Sequence, residues 1–251
     1  MSRHAIVTGG SRGIGYAIAR RLLADGLAVS IVGRDPATLE RAAYELGGGV
    51  SHEAVDVTDP AAVQRAFNAL AERRGGLAIL INNAGAAESA PFEKTDDILW
   101  QRMLEANLHS TYHCIRAASP MLLGAADARI VNIASTAGQT GYAYVSAYCA
   151  AKHGVIGLTR ALAREWAGKS ITINAVCPGF TDTDIVSESI ERIQRATGRT
   201  ALQARASLVA GNPQRRLIAP DEVAHAVSWL CDTRSGSITG QSISVAGGEL
   251  T

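Results

Sequence analysis

Short runs of consecutive apolar, β-branched residues alternate along the chain with longer stretches in which apolar side chains recur every three or four positions. The first run, Ala5-Ile6-Val7, ends at Thr8-Gly9-Gly10. Ile14 to Asp25 then places Ile14, Ile18, Leu22 and Leu23 on one helical face, and Gly26 stops the helix. A strand is predicted over Leu27 to Val32, a helix from Pro36 to Leu46, a short strand at Ala54-Val55, and a helix from Pro60 to about Arg73. Leu77 to Ile81 is a fully apolar strand, followed by a long helix from about Asp96 to Ser119. Arg129 to Ala134 reads as a strand, Ala143 to Ala167 as a helix and Ile171 to Val176 as a strand. Residues 178–212 are irregular with two helical pieces, after which Pro220 opens a helix to Cys231 and Ser242 to Val245 forms a last strand.

Strands that are apolar throughout have both faces covered, as in a parallel sheet packed between helices. About seven such strands alternating with helices predict a single doubly wound α/β domain over residues 1–251, with helices on both faces. No repeat, low-complexity tract or linker divides the chain. The longest interruption, about residues 182–212, is expected to form a substrate lid at the carboxyl edge of the sheet. Within it Val186, Ile190 and Ile193 fall at helical spacing and should face inward, while Arg192, Arg195 and Arg199 line another face. Such an arginine stripe is commonly solvated, and its other use is to meet coenzyme A phosphates or an acidic carrier protein.

Charge changes this picture by exclusion. Lys plus Arg is 24 and Asp plus Glu is 23, a net charge of +1, so nothing favours nucleic acid or an acidic membrane surface. No run approaches 18 apolar residues, and no leader is expected ahead of the first strand. The four cysteines Cys114, Cys149, Cys177 and Cys231 are widely spaced without a CxxC pair, and His109, His113 and His153 are scattered. Reduced, buried thiols, a cytoplasmic location and no metal site are the expectations.

The candidate chemistry begins at the turn Thr8-Gly9-Gly10-Ser11-Arg12-Gly13-Ile14-Gly15 between the first strand and the first helix. Glycines at 9, 13 and 15 permit a tight turn and close approach of a pyrophosphate, which the free N–H groups of the helix start would bind. The end of the second strand should meet the adenosine ribose, where an acid suits NAD and a base suits the 2′-phosphate of NADP. This chain has Gly33-Arg34-Asp35 there, and Arg12 in the glycine turn, so NADP(H) is favoured with NAD(H) as the alternative.

Tyr148 and Lys152 are four apart on one helical face, and Ser135 follows directly on the Arg129–Ala134 strand. Carbonyl reduction needs a proton for the developing alkoxide. A phenol tuned by an ammonium can supply it while a serine hydroxyl holds the oxygen.

TGGSRGIG at 8–15, Asp56-Val57, Asn82-Asn83-Ala84-Gly85, Asn107, Ser135, YCAAK at 148–152 and Pro178-Gly179 together resemble the short-chain dehydrogenase/reductase family over essentially the whole chain. The resemblance implies a Rossmann-type domain. It implies catalytic roles for Ser135, Tyr148 and Lys152, and a helix-distorting, water-holding role for Asn107. Cofactor contacts are implied for Gly9, Ser11, Arg12, Gly13, Ile14, Gly15, Arg34, Asp56, Val57, Asn83, Ala84, Gly85, Tyr148, Lys152, Pro178, Gly179, Thr181 and Thr183.

Residues 129–158 and 174–180 further resemble polyketide ketoreductases and 3-ketoacyl-(acyl-carrier-protein) reductases. Where the polyketide enzymes carry Pro-Gly-Gly after the NNAG loop, this chain has Ala86-Ala87-Glu88-Ser89-Ala90-Pro91. The substrate implied is a ketone or an acyl thioester of coenzyme A or acyl carrier protein. The alternatives are an NAD-dependent 3-hydroxyacyl-CoA or secondary-alcohol dehydrogenase and, more remotely, a non-catalytic cofactor-binding sensor. Homotetramers are usual in that family, so a homotetramer or homodimer is expected, and the small residues Ala161, Ala163 and Ala167 would permit close helix approach.

Overall fold

The computed structural model describes residues 2–47 and 49–250. Among them, β1 (His4–Thr8), β2 (Ala28–Gly33), β3 (Ser51–Ala54), β4 (Ile79–Asn82), β5 (Ala128–Ile133), β6 (Ile171–Pro178) and β7 (Ser242–Val245) form one parallel sheet in the order β3-β2-β1-β4-β5-β6-β7. The predicted α/β, doubly wound, Rossmann-type architecture is therefore observed. Alternate side chains of each central strand enter opposite cores. Val7, Ile31, Ile79 and Ile81 pack under α1 (Gly13–Ala24), α2 (Pro36–Leu46) and α9 (Pro220–Cys231) with Ile18, Leu22, Leu39, Val223 and Leu230. Ile6, Val32 and Leu80 pack on the other face against Phe67 and Leu70 of α3 (Pro60–Arg74) and Ile115 and Leu122 of α5 (Ser110–Gly124). Each such side chain, fully buried, contributes about 1.5–3 kcal/mol relative to exposure.

From β1 the chain winds outward to β2 and β3, then returns to β4 on the other side of β1. The loops leaving β1 and β4 therefore diverge, and a crevice opens between them at the carboxyl ends. Side chains hold its two lips. Thr8 Oγ1 accepts from the backbone N–H groups of Asn83 (2.9 Å) and Ala84 (3.0 Å), and Asn83 Nδ2 donates back to Thr8 O at 2.9 Å. Beneath, Asn82 donates to Asn132 (2.8 Å), and Asn132 to Thr159 (2.9 Å) of α6 (Ser146–Glu165), a buried polar chain from sheet to helix.

Several sequence expectations need correction. β3 is Ser51–Ala54, not Ala54-Val55, because pairing with β2 (Ser30 opposite Ser51, Gly33 opposite Ala54) decides this polar edge strand. The expected helix over 96–119 is α4 (Asp97–Leu104), a π-helical turn at Glu105–His109, and α5. It runs past Pro120, which has no N–H for Arg116 O; the Ser119 hydroxyl donates to that carbonyl instead, at 3.0 Å. The helix expected from Ala143 starts at Ser146, after Tyr144 takes a left-handed φ of 68°. Ala163 is not on a free face: it is buried, and a Cβ at Gly240 would lie 3.4 Å from it.

The 182–212 segment contains α7 (Asp184–Thr197) and α8 (Ala201–Leu208). Val186 is buried and Ile190 and Ile193 are half-buried, as the spacing predicts. The arginine stripe is broken, since α7 ends at Thr197 and Arg199 follows the left-handed Gly198. All four cysteines are buried and free. Among the described residues no helix is long and apolar enough to cross a membrane.

Candidate active site

Parallel strands put all their carboxyl ends on one edge, so residues far apart in sequence share one rim. At its centre is the glycine turn. Gly9 (φ 64°) and Gly13 (φ 54°) adopt left-handed conformations that other residues take only with strain. A Cβ at Gly15 would lie 2.1 Å from Gly9 O and 2.5 Å from Asn83 Nδ2, so only glycine lets α1 start this close to the strand ends. Asp35 and Asp59 cap α2 and α3 through their side chains, whereas Arg12 at the start of α1 makes no side-chain cap. The first N–H groups of α1, from Gly13, Ile14 and Gly15, thus point at a crevice shaped for an anion. This cradle fits a dinucleotide pyrophosphate.

On the β2–β3 side, Asp35 Oδ1 accepts from Ala37 N (2.8 Å) and Thr38 N (3.2 Å). Its carboxylate is engaged as the α2 cap. Arg34 is exposed beside it, and Ser11 Oγ lies 3.8 Å from where a Gly33 Cβ would stand. Arg12 is exposed and pairs with Asp184 of α7 at 3.3 Å. Asp56 Oδ1 accepts from the backbone N–H and hydroxyl of Thr58, bonds that hold its carboxyl below the usual carboxylate range; Val57 beside it is buried.

On the β4–β6 side the catalytic candidates converge. Lys152 is 4 % exposed. Its ammonium donates to Ile133 O at 2.9 Å and lies 5.6 Å from the centre of the Tyr148 ring. Burial pushes the Lys152 ammonium down to about 8. Burial likewise pushes the Tyr148 phenol up to about 12, with a hydrogen bond from Ser135 pulling the other way. Ser135 follows two residues after β5, and its Oγ accepts from Ala137 N at 3.1 Å, which fixes the hydroxyl's place.

Asn107 is buried in the π-helical turn. Its amide donates to Ala86 O and Met103 O, both at 2.9 Å, and its Oδ1 accepts from Ala86 N at 3.3 Å. A Cβ at Gly85 would stand 2.7 Å from Asn107 Oδ1 and 3.7 Å from Lys152 Nζ, so the Asn83-Ala84-Gly85 loop lies directly over this pair.

After β6, Gly179 N donates to Val245 O (3.1 Å), Thr181 Oγ1 to Gly179 O (3.0 Å) and Thr183 Oγ1 to Thr181 O (3.2 Å). This carries Pro178 to Thr183 back across the crevice, until the Thr183 methyl is 3.2 Å from where a Gly13 Cβ would stand. Helix α7 touches the opposite lip too, with Arg192 Nη1 donating to Ser89 Oγ at 3.3 Å. The glycine turn, Asn83 to Gly85, Ser135 and Gly179 to Thr183 thus all follow the carboxyl ends of strands in one sheet.

Sequence reasoning missed three contributors. Thr8 stood inside the glycine motif and ties β1 to β4. Tyr142 stood between Ser135 and Tyr148 and donates to Glu249 Oε1 at 2.6 Å. Glu249 had no local signal, because its partner is 107 positions away.

A family model described as short chain dehydrogenase matches residues 3–194. D-beta-hydroxybutyrate dehydrogenase of Rhizobium meliloti (strain 1021) is 35% identical over 254 residues, covering 99% of this chain and 98% of that protein. The 3-oxoacyl-(acyl-carrier-protein) reductase MabA of Mycobacterium tuberculosis (strain ATCC 25618 / H37Rv) is 36% identical over 248 residues, covering 99% and 93%. A crystal structure of a single-substitution variant of actinorhodin polyketide ketoreductase with NADPH superposes with a TM-score of 0.95 at 34% identity, covering 99% of this chain and 97% of that one.

Proposed function

Because the chain belongs to the short chain dehydrogenase family, we propose that it is a carbonyl reductase that uses NADPH on a β-ketoacyl thioester or a related ketone. The observation that carries this reading is the convergence of Tyr148, Ser135 and the Lys152 ammonium at the carboxyl end of β5, under a loop that only glycine at 85 allows.

The cofactor would lie along the rim. Gly9, Ser11, Gly13, Ile14 and Gly15 hold its pyrophosphate, and Arg12 and Arg34 its 2′-phosphate. Asp56 and Val57 meet the adenine, and Asn83, Ala84 and Gly85 line the middle. Tyr148 and Lys152 take the nicotinamide ribose, and Pro178, Gly179, Thr181 and Thr183 the carboxamide. When bound, NADPH supplies the hydride. The capping of α2 by Asp35 supports NADPH over NADH, since it engages the acid while Arg34 beside it stays exposed.

The chain's own residues handle the oxygen. The Ser135 hydroxyl donates to the carbonyl oxygen and holds it beside the phenol. Tyr148 keeps its proton until charge develops on that oxygen, because burial raises its pKa. An alkoxide is far more basic than a phenolate, so the proton then passes from Oη to the new hydroxyl. Lys152 uses one of its three donors on Ile133 O, and its charge steadies the phenolate left behind. Asn107 would hold a water through which that phenolate regains a proton. The helices α7 and α8 form the substrate lid. Exposed Ile98, Trp100 and Tyr112 on α4 and α5 support a homo-oligomer, for which light scattering is the direct measurement.

The test is initial rates of purified protein on a bicyclic ketone and on acetoacetyl-CoA, each with NADPH and with NADH. NADPH-preferring turnover is expected, and silence on both substrates would sink the reading. The 35% identity to a D-beta-hydroxybutyrate dehydrogenase favours a second reading, an NAD-dependent oxidation of a 3-hydroxy acid, which NADH preference would support.

A further inference from the structure

The C-terminal segment returns an acid to the catalytic loop. The Tyr142 phenol has a single proton, and the 2.6 Å contact to Glu249 Oε1 takes it. Thr136, next to Ser135, lies 2.9 Å from the same phenol oxygen and donates to it. The Tyr142 ring stands edge-on to Phe180, with centroids 6.2 Å apart and planes at 83°. Burial, and then the bond to Glu249, push the Tyr142 phenol well above its ordinary range, so it remains a neutral donor.

A Cβ at Gly179 would lie 2.9 Å from Glu249 Oε2, and one at Gly211 3.5 Å from Oε1. The carboxylate therefore sits between the Ser135 loop, the Pro178-Gly179 turn and the base of the lid. No lysine or arginine pairs with it among the described residues, and the neutral Tyr142 phenol donates a hydrogen bond to it.

We propose that Glu249 is a specificity-determining residue. Carried on Tyr142 beside Ser135, its carboxylate forms an acidic wall of the substrate cleft that admits neutral ketones, esters and thioesters and rejects free 3-oxo carboxylates. The inference rests on the ketone-reduction reading above, and it separates thioester reduction from the turnover of free acids. A substrate carbonyl held between Ser135 and Tyr148 carries the carboxylate of a 3-oxo acid only two carbons away. At an effective dielectric of about 20, two carboxylates roughly 6–8 Å apart repel enough to change a binding ratio by roughly thirty- to hundredfold before screening by water.

The experiment compares kcat/KM for acetoacetate and for its neutral N-acetylcysteamine thioester, with NADPH, in wild type, Glu249→Gln and Tyr142→Phe. The wild type should favour the thioester. Glu249→Gln keeps an acceptor for Tyr142 and removes the charge, and it should raise the acid-to-thioester ratio about tenfold. Tyr142→Phe keeps the charge and removes the bond, and should leave that ratio at or below the wild-type value. An unchanged ratio in Glu249→Gln, an equal rise in Tyr142→Phe, or a wild type that prefers the free acid would each overturn the inference while leaving ketone reduction intact. Failure of the wild type to reduce either compound would overturn the underlying reading, and this inference with it.

Discussion

Replacing Asp35 separates two uses of one carboxylate. In the structure its Oδ1 accepts from Ala37 N at 2.8 Å and Thr38 N at 3.2 Å, which caps the start of α2. A side chain held in that pose faces its own helix, not a ribose. Asp35→Ala removes the cap, a loss of about 1 kcal/mol. For a chain of this size each kcal/mol moves Tm by about 2–4 °C, so a fall of about that size is expected in a thermal melt. The Thr38 hydroxyl bond to Asp35 O (3.0 Å) survives, so the fall should not be larger. Asp35→Asn restores an equally good cap and should melt close to wild type.

If Asp35 instead held the ribose hydroxyls, Asp35→Ala would break a charged hydrogen bond of about 1.5–3 kcal/mol and raise the NADH Kd by roughly 10- to 150-fold. The capping geometry predicts a change in NADH Kd of less than about threefold by fluorescence titration, because nothing worth a full charged bond is lost. A rise of tenfold or more in NADH Kd with an unchanged melt would refute the reasoning.

Four further outcomes follow from the site and the sheet. Tyr148→Phe should lower kcat by roughly 10²–10⁴-fold with NADPH still binding within a few-fold, and retained turnover would remove the proton-donor role. Arg34→Ala should weaken NADPH by roughly 10- to 100-fold and NADH far less, measured as separate Kd values; an equal loss of both would argue against a phosphate contact. Gly15→Ala would place a Cβ 2.1 Å from Gly9 O, so the turn must move: a loss of about 1–3 kcal/mol and abolished nucleotide binding are expected by denaturant titration and calorimetry. His4 sits buried between Ser30 Oγ (2.8 Å) and Gly76 O (2.7 Å), and burial holds its imidazole pKa below 6.5. The unfolded chain then binds the extra proton first, so stability should be constant above about pH 6.5 and fall as pH drops through the window below it. A urea midpoint that does not fall from pH 7 to 5.5, or that falls equally in His4→Gln, would contradict this.

Local patterns already determined much of the molecule. Pro36, Pro60 and Pro220 mark the starts of α2, α3 and α9 because proline suits a first helical turn. Ser242–Val245 emerges as β7 with the predicted limits. Tyr148 and Lys152 share a face by helical spacing alone, and the glycines of the first turn mark a tight strand-to-helix turn. These features depend on residues within one or two turns of each other, where periodicity and backbone conformation govern.

What tertiary structure alone decided depends on which strands become neighbours. The polar edge strand Ser51–Ala54 exists through its register with β2, and no apolar run marks it. The π-helical turn puts Asn107 under the Gly85 loop, a position that helical periodicity does not reveal. Asp35 and Arg34 read from sequence as rivals for one ribose, until the capped start of α2 gives the acid a different partner. Glu249 meets Tyr142 because β7 lies beside β6, and β6 beside β5, which delivers the chain's end to the loop after Ser135. Hydrogen bonds between residues more than a hundred positions apart leave no trace in local pattern, because sheet order and register, not spacing along the chain, set which side chains meet.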